Sequence, residues 1–277
     1  MNDQDGIHGM HGIHEDGPSR GRRLAPWVLS AALLLAWAAL RLIFMRGAAP
    51  NAIMGAVVAL ALLGAAFQHD RRDPPFWAWL ALGLALTITE FLIGLRDWEF
   101  LAAFAHWWQA PFVLVNLLLI AAILTFVRNV RASGLVPPWS LPWKVGTAVA
   151  TGIAGTTATI LIRAEFLRWQ SDGAGFALAE LSGLAANGSS AVGDATMFIG
   201  AVLLARMVLP MRGGSFARPY LLLCLAGAAF LALDVFTVWI AAGAPDWVAD
   251  VGTAAYGVAD GALLVAALNE IWLARRA

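Results

Sequence analysis

From residue 25 onward the chain is a succession of long apolar runs cut by short polar breaks. A helix needs about 20 apolar residues to cross the hydrocarbon core of a bilayer. On that rule the runs predict eight spans, at approximately 26–45, 50–68, 75–95, 109–128, 144–164, 189–210, 219–242 and 249–273. The breaks are short except for 165–188, which holds Glu165, Arg168, Asp172 and Glu180 and the amphipathic stretch GFALAELSGLAA. That segment reads either as an interfacial helix or lid, or as an ordinary connector.

Residues 1–24 are polar, rich in Gly and His, and without period, which predicts a disordered cytoplasmic tail. Residues 25–277 then form one membrane domain, with possible halves at 25–135 and 140–277. Arg20, Arg22 and Arg23 precede the first apolar run as they would in a signal peptide. The run is longer than the 7–15 residues of a typical signal core, so it is expected to stay as a span.

Composition sharpens the class. The chain is 60% hydrophobic and 13% charged, against about 25% charged in soluble domains. The fold class is therefore all-α, a polytopic membrane helix bundle whose first partner is the lipid bilayer. A formal net charge of zero offers no electrostatic case for nucleic acid. The single cysteine, Cys224, excludes an intramolecular disulfide and a cysteine metal site, and it reads as a small packed hydrophobe.

Charge in the breaks sets orientation. One side holds Arg20, Arg22, Arg23, Arg71, Arg72, Arg128, Arg131, Lys144, Arg212, Arg218, Arg275 and Arg276, and the other Arg46, Arg96 and Arg168. Both termini are expected on the cytoplasmic side of the cell (inner) membrane. Trp98, Trp107, Trp108, Trp169 and Trp247 fall at outer ends, and Trp27, Trp77, Trp139, Trp143 and Trp272 at inner ends, as an interfacial belt.

A shift of 144 residues aligns Pro75 with Pro219, Glu90 with Asp234 and Asn116 with Asp260. The expected architecture is two parallel four-helix repeats, which either bind something between them or record a duplication without further use.

Asp234 is the sole charge between Pro219 and Ala242, and a carboxylate in hydrocarbon is costly unless paired, hydrated or protonated. At a rise of about 1.5 Å per residue, Glu90, Asp194, Asp234, Asp260, Asn116, Arg41 and Arg163 all fall toward the outer half of the bundle, where they are expected to face one another. Arg41 and Arg163 are the candidate buried cations. A surplus of carboxyls over guanidiniums is the physical basis for a proton or cation role. Tyr256 and Asp260 share a helix face, as do Ser190 and Asp194 and, three apart, Thr87 and Glu90. Gly257 and Gly261 have close-packing spacing. The small, hydroxyl-rich run VGTAVATGIAGTTAT predicts a fifth span in the middle of the bundle. Each polar residue taken singly is also explained as hydrogen-bonding glue between helices.

Several chemistries lack their residues. The only lysine, Lys144, is at a span end, so no retinal Schiff base is available. Paired histidines for haem, an HExxH zincin motif and nucleotide-binding motifs are missing. His8, His11 and His14, beside Glu15 and Asp16, either bind Zn, Ni or Cu weakly or have no metal function. No metal site and no cofactor is assigned.

SAVGDATMFIGAVLLARM, RPYLLLCLAGAAFLALDVFTVWIAAG and DVGTAAYGVADGALLVAAL follow one another in the last three spans. Through Gly193 and Asp194, Arg218 and Pro219, Asp234, and Tyr256 with Gly257, this region resembles the membrane-embedded N-terminal sensor region of bacterial GGDEF and EAL signalling proteins. The order Tyr256 then Gly257, without a nearby Trp, departs from that pattern. The sequence ends at Ala277 with no cyclase or phosphodiesterase domain. The resemblance implies a sensor-like module that acts through a membrane or cytoplasmic signalling partner.

The leading expectation is thus a non-enzymatic sensor or ligand-binding module. Its outer-half pocket would be built from Asp194, Asp234, Tyr256, Asp260, Glu90, Asn116 and Arg163. The alternatives are a small proton- or cation-coupled transporter and a structural subunit of a membrane complex.

Overall fold

A computed structural model describes residues 20–44, 48–95, 110–134, 137–171, 178–212, 214–241 and 243–276. Among them are eight α-helices and no strand: α1 Arg20–Phe44, α2 Ala48–Ala66, α3 Pro74–Leu95, α4 Pro111–Ala132, α5 Leu141–Ser171, α6 Leu178–Val208, α7 Ala217–Ala241 and α8 Trp247–Ala274. A short 3-10 turn, Leu209–Met211, follows α6. Seven helices are long and apolar enough to cross a membrane, and the second contributes the shorter apolar stretch Ala52–Ala66. The protein is a multi-pass integral membrane protein.

Several boundaries differ from the sequence reading. Helix α1 begins at Arg20, inside the segment expected to be a disordered tail, and the rest of that tail, with its histidines, lies outside the described residues. Within the segment 165–188, residues 172–177 lie outside the described residues and the rest is helical. Helix α5 runs on to Ser171 and α6 starts at Leu178. From Leu178 on, the amphipathic stretch is the opening of α6. At 31 residues each, these helices are about 46 Å long, more than the ~30 Å hydrocarbon core.

The helices pack as a ring in the order α2–α3–α4–α6–α7–α8 and back to α2. A shift of four helices maps this ring order onto itself. The first helix of each half breaks the correspondence: α1 packs mainly on α8, whereas α5 packs on α6 with slight contact to α7. Helix α5 is therefore peripheral, not central. Its buried residues are Ala150, Ala154, Thr157 and Ala158. Ala154 and Ala158 meet Ala191, Ala195 and Leu231 in a thin seam. Gly146, Gly152 and Gly155 face open space. Small residues permit close approach on any side, so their abundance did not fix which side is packed. The most enclosed helix is α8, with 61% of its apolar window buried against 22% for α1 and for α5.

The end of the ring where α1 starts and α8 ends, called the inner end from here on, is filled by large side chains. Trp79 and Phe126 meet edge to face at 5.1 Å, and Phe126 and Tyr220 at 5.8 Å. Leu62, Leu204 and Leu263 complete this layer, and all six are at most 1% exposed. Outward-facing positions such as Leu35, Ile43, Leu60 and Phe91 are apolar and exposed, as a lipid-contacting surface requires. Trp77, Trp139, Trp247 and Trp272 are exposed at helix ends, where amphipathic rings sit at headgroup level.

Candidate functional site

The outer half of the ring encloses a cavity of about 220 Å³ between α3, α4, α6, α7 and α8. Its polar lining comprises Thr89, Asn116, Ser190, Asp194, Tyr256 and Asp260, set among apolar side chains such as Leu86, Phe230 and Leu263. At about 30 Å³ per water, the space holds roughly seven waters or a ligand of a few heavy atoms.

The wall on the α8 side begins with glycine. A β-carbon at Gly257 would come within 3.3 Å of the Arg41 side chain and 3.4 Å of Ala38, and one at Gly261 within 3.1 Å of Trp37. Bare backbone at both positions lets α1 lie close against α8. Trp37 and Arg41, one turn apart on α1, then reach Asp260. Arg41 Nε stands 3.2 Å from Asp260 Oδ2. Its Nη2 donates to the Tyr256 hydroxyl at 3.3 Å, and its guanidinium carbon is 5.1 Å from the Tyr256 ring centre. Trp37 Nε1 donates to Asp260 Oδ2 at 3.5 Å. Arg41 itself is completely buried, and Asp260 is 2% exposed. A charge pair so enclosed holds only if both members keep their partners.

Glu90 on α3 closes the cluster. Its Oε1 is 3.8 Å from Arg41 Nη2, too long for a hydrogen bond. Both carboxyl oxygens are buried without a hydrogen-bond partner among the described residues. The carboxyl fits because Gly55 on α2 has no side chain, and a β-carbon there would overlap it.

Across the cavity, Asp194 on α6 lies within side-chain reach of Ser190 on its own helix and of Asp234 on α7. Asp234 is half-buried, and its companion is a second acid, Asp194, rather than an arginine. Asn116 Nδ2 donates to Ser189 Oγ at 2.9 Å, and Ser189 in turn donates to the Ala186 carbonyl at 2.8 Å. Gly193 lets α4 approach, since a β-carbon there would meet Asn116 Oδ1 at 3.2 Å.

Four sequence-derived site residues, Asn116, Asp194, Tyr256 and Asp260, thus line one cavity. Glu90 and Asp234 stand beside it through Arg41 and Asp194. Arg163 does not join them. It is exposed on the peripheral α5, because that helix packs through its Ala150–Ala158 face. Arg41 is the guanidinium of the cluster, against the carboxyls of Asp194, Asp234, Asp260 and Glu90.

Sequence reasoning missed Trp37, Thr89 and Ser189 as contributors. Trp37 was discoverable, being four residues before Arg41 and hence on the same face. A second polar cluster lies at the inner end. There His69 Nε2 is 2.8 Å from Glu270 Oε1, and Asn269 links Ser30 to Arg218. Between Asp260 and Asn269, positions 261–268 of α8 are Gly, Ala, Leu, Leu, Val, Ala, Ala and Leu, an apolar stretch of about 13 Å. Among the described residues no group of His, Cys, Asp and Glu is arranged to hold a metal ion.

Comparison with protein-family models, with curated proteins and with solved structures finds no match.

Proposed function

We propose that the protein is a membrane sensor-like, ligand-binding module, and that the outer-half cavity takes a small cationic ligand, the proton included. One observation carries this reading. The cavity is lined by Asp194, Asp260, Asn116, Ser190 and Tyr256, with four carboxyls set against the single guanidinium of Arg41. A cation or protonated amine of a few heavy atoms fits both the volume and the charge. The role is non-catalytic and works through a membrane or cytoplasmic partner, in line with the sensor region that the last three helices resemble. The layer of Trp79, Phe126 and Tyr220 beneath the cavity favours a blind-ended pocket over the path a transporter needs.

The test uses the full-length protein in mild detergent. Its melting temperature is measured with ammonium, methylammonium and ethanolamine. A ligand that binds only the folded state raises the melting point in proportion to ln(1 + [L]/Kd). At least one of these probes stabilises the wild type and fails to stabilise Ser190→Leu, which fills the cavity, and Asp260→Asn. Equal stabilisation of wild type and Ser190→Leu, or none by any probe, overturns the reading. Crosslinking in the native membrane followed by co-purification identifies the partner. An Asp234→Asn effect confined to assembly with that partner would point to a structural subunit instead.

A further inference from the structure

The inner end carries a site unrelated to the cavity. Arg218, in the first turn of α7, is 4% exposed. Its Nη1 donates to Asn269 Oδ1 at 3.3 Å. Asn269 Nδ2 donates in turn to Ser30 Oγ at 3.1 Å and to the Val265 carbonyl at 2.8 Å. The guanidinium is thereby fixed between α1, α7 and α8. Its carbon lies 5.1 Å from the Trp272 ring centre, and that of Arg276 lies 3.7 Å from the same ring.

Two cations therefore flank one indole. Among the described residues no carboxylate lies within 4 Å of either. The neighbouring acid on α8, Glu270, is paired with His69 in the turn after α2. A buried cation without a counter-charge is costly, and the shape of the site shows where one can enter. Arg218, Asn269 and Ser30 form the floor of a groove of about 380 Å³ between α1, α7 and α8, at the small end of the ~300–1,000 Å³ range for ligand sites. Its walls include Leu29, Leu33 and Leu268, which are 62%, 43% and 42% exposed. The groove opens sideways, toward the acyl chains, with Trp272 at its rim.

We propose that this groove binds an anionic phospholipid of the adjacent leaflet. The phosphate sits on Arg218 and Arg276, where guanidinium and phosphate match in charge and geometry. One acyl chain lies along Leu29, Leu33 and Leu268. The apolar, laterally open walls select a lipid over a soluble anion, which would leave them uncovered.

The test is native mass spectrometry of the full-length protein, titrated with phosphatidylglycerol and with phosphatidylcholine. The wild type retains phosphatidylglycerol at least about tenfold better, because phosphatidylcholine carries the same phosphate but sets its quaternary ammonium beside two guanidiniums. Arg218→Gln removes that preference and Arg212→Gln, an exposed arginine near the same end, leaves it intact. If Arg218→Gln does not fold, Leu33→Trp serves. It blocks the groove from an exposed position and must also abolish retention. Equal retention of the two lipids by wild type, unchanged preference in Leu33→Trp, or full displacement of phosphatidylglycerol by millimolar inorganic phosphate overturns the proposal.

Discussion

Arg41 on α1 and Asp260 on α8 stand 3.2 Å apart, Nε to Oδ2, although 219 residues separate them in the chain. The pair ties the first helix to the last and sets one wall of the cavity. Removing one member of a buried ion pair leaves the other uncompensated, at a cost of about 3–5 kcal/mol. Arg41→Ala is therefore expected to lose stability in that range, measured by chemical unfolding in detergent micelles. Arg41→Lys keeps the charge but cannot span Asp260, Tyr256 and Glu90 together, and falls between Arg41→Ala and wild type. A wild-type midpoint for Arg41→Ala would show that the pair carries no stability.

Arg163 provides the contrast. It is the same residue type at a comparable depth, but exposed on α5. Arg163→Gln should stay within about 0.5 kcal/mol of wild type, by the same measurement.

Glycine positions make a second contrast. At Gly261 a β-carbon would meet Trp37 at 3.1 Å and the Leu34 carbonyl at 3.4 Å, whereas Gly152 on α5 faces open space. Gly261→Leu forces α1 off α8 and separates Trp37 and Arg41 from Asp260, with an overpacking cost of about 1–3 kcal/mol or more. Gly152→Leu is neutral in the isolated protein. Parallel thermal-aggregation curves for the two variants check both outcomes.

The fold class, the helix sequence and the gathering of polar residues were legible in the chain. Length and hydropathy alone predict the spans, and Gly257 with Gly261 marks a close helix contact that the structure shows between α1 and α8. What the chain did not disclose was which neighbour each helix takes. Arg41 and Arg163 look alike in sequence, each in the outer part of an early helix of its half. They part company because α1 packs on α8 whereas α5 packs on α6. Lipid is as apolar as a leucine-lined interface, so hydropathy does not distinguish a packed face from an exposed one. The inner cluster stands out little in the chain for a related reason. Ser30, His69, Arg218 and Asn269 sit near span ends, where polar residues are ordinary, and only their convergence from three helices and the turn after α2 sets them apart.

The aromatic layer gives a further prediction. Phe126 is held edge to face between Trp79 and Tyr220 at 5.1 and 5.8 Å. Phe126→Ala opens a void there and costs about 3–5 kcal/mol, read as a lower unfolding midpoint.

That layer decides whether the cavity is blind-ended. Proton flux is measured in sealed proteoliposomes under an imposed pH gradient, with protein-free vesicles as the baseline. A cavity closed at its inner end predicts that wild type equals the baseline. Flux through the wild type above the baseline, abolished by Asp260→Asn, would contradict the closed pocket and make the carboxyl cluster part of a transport path.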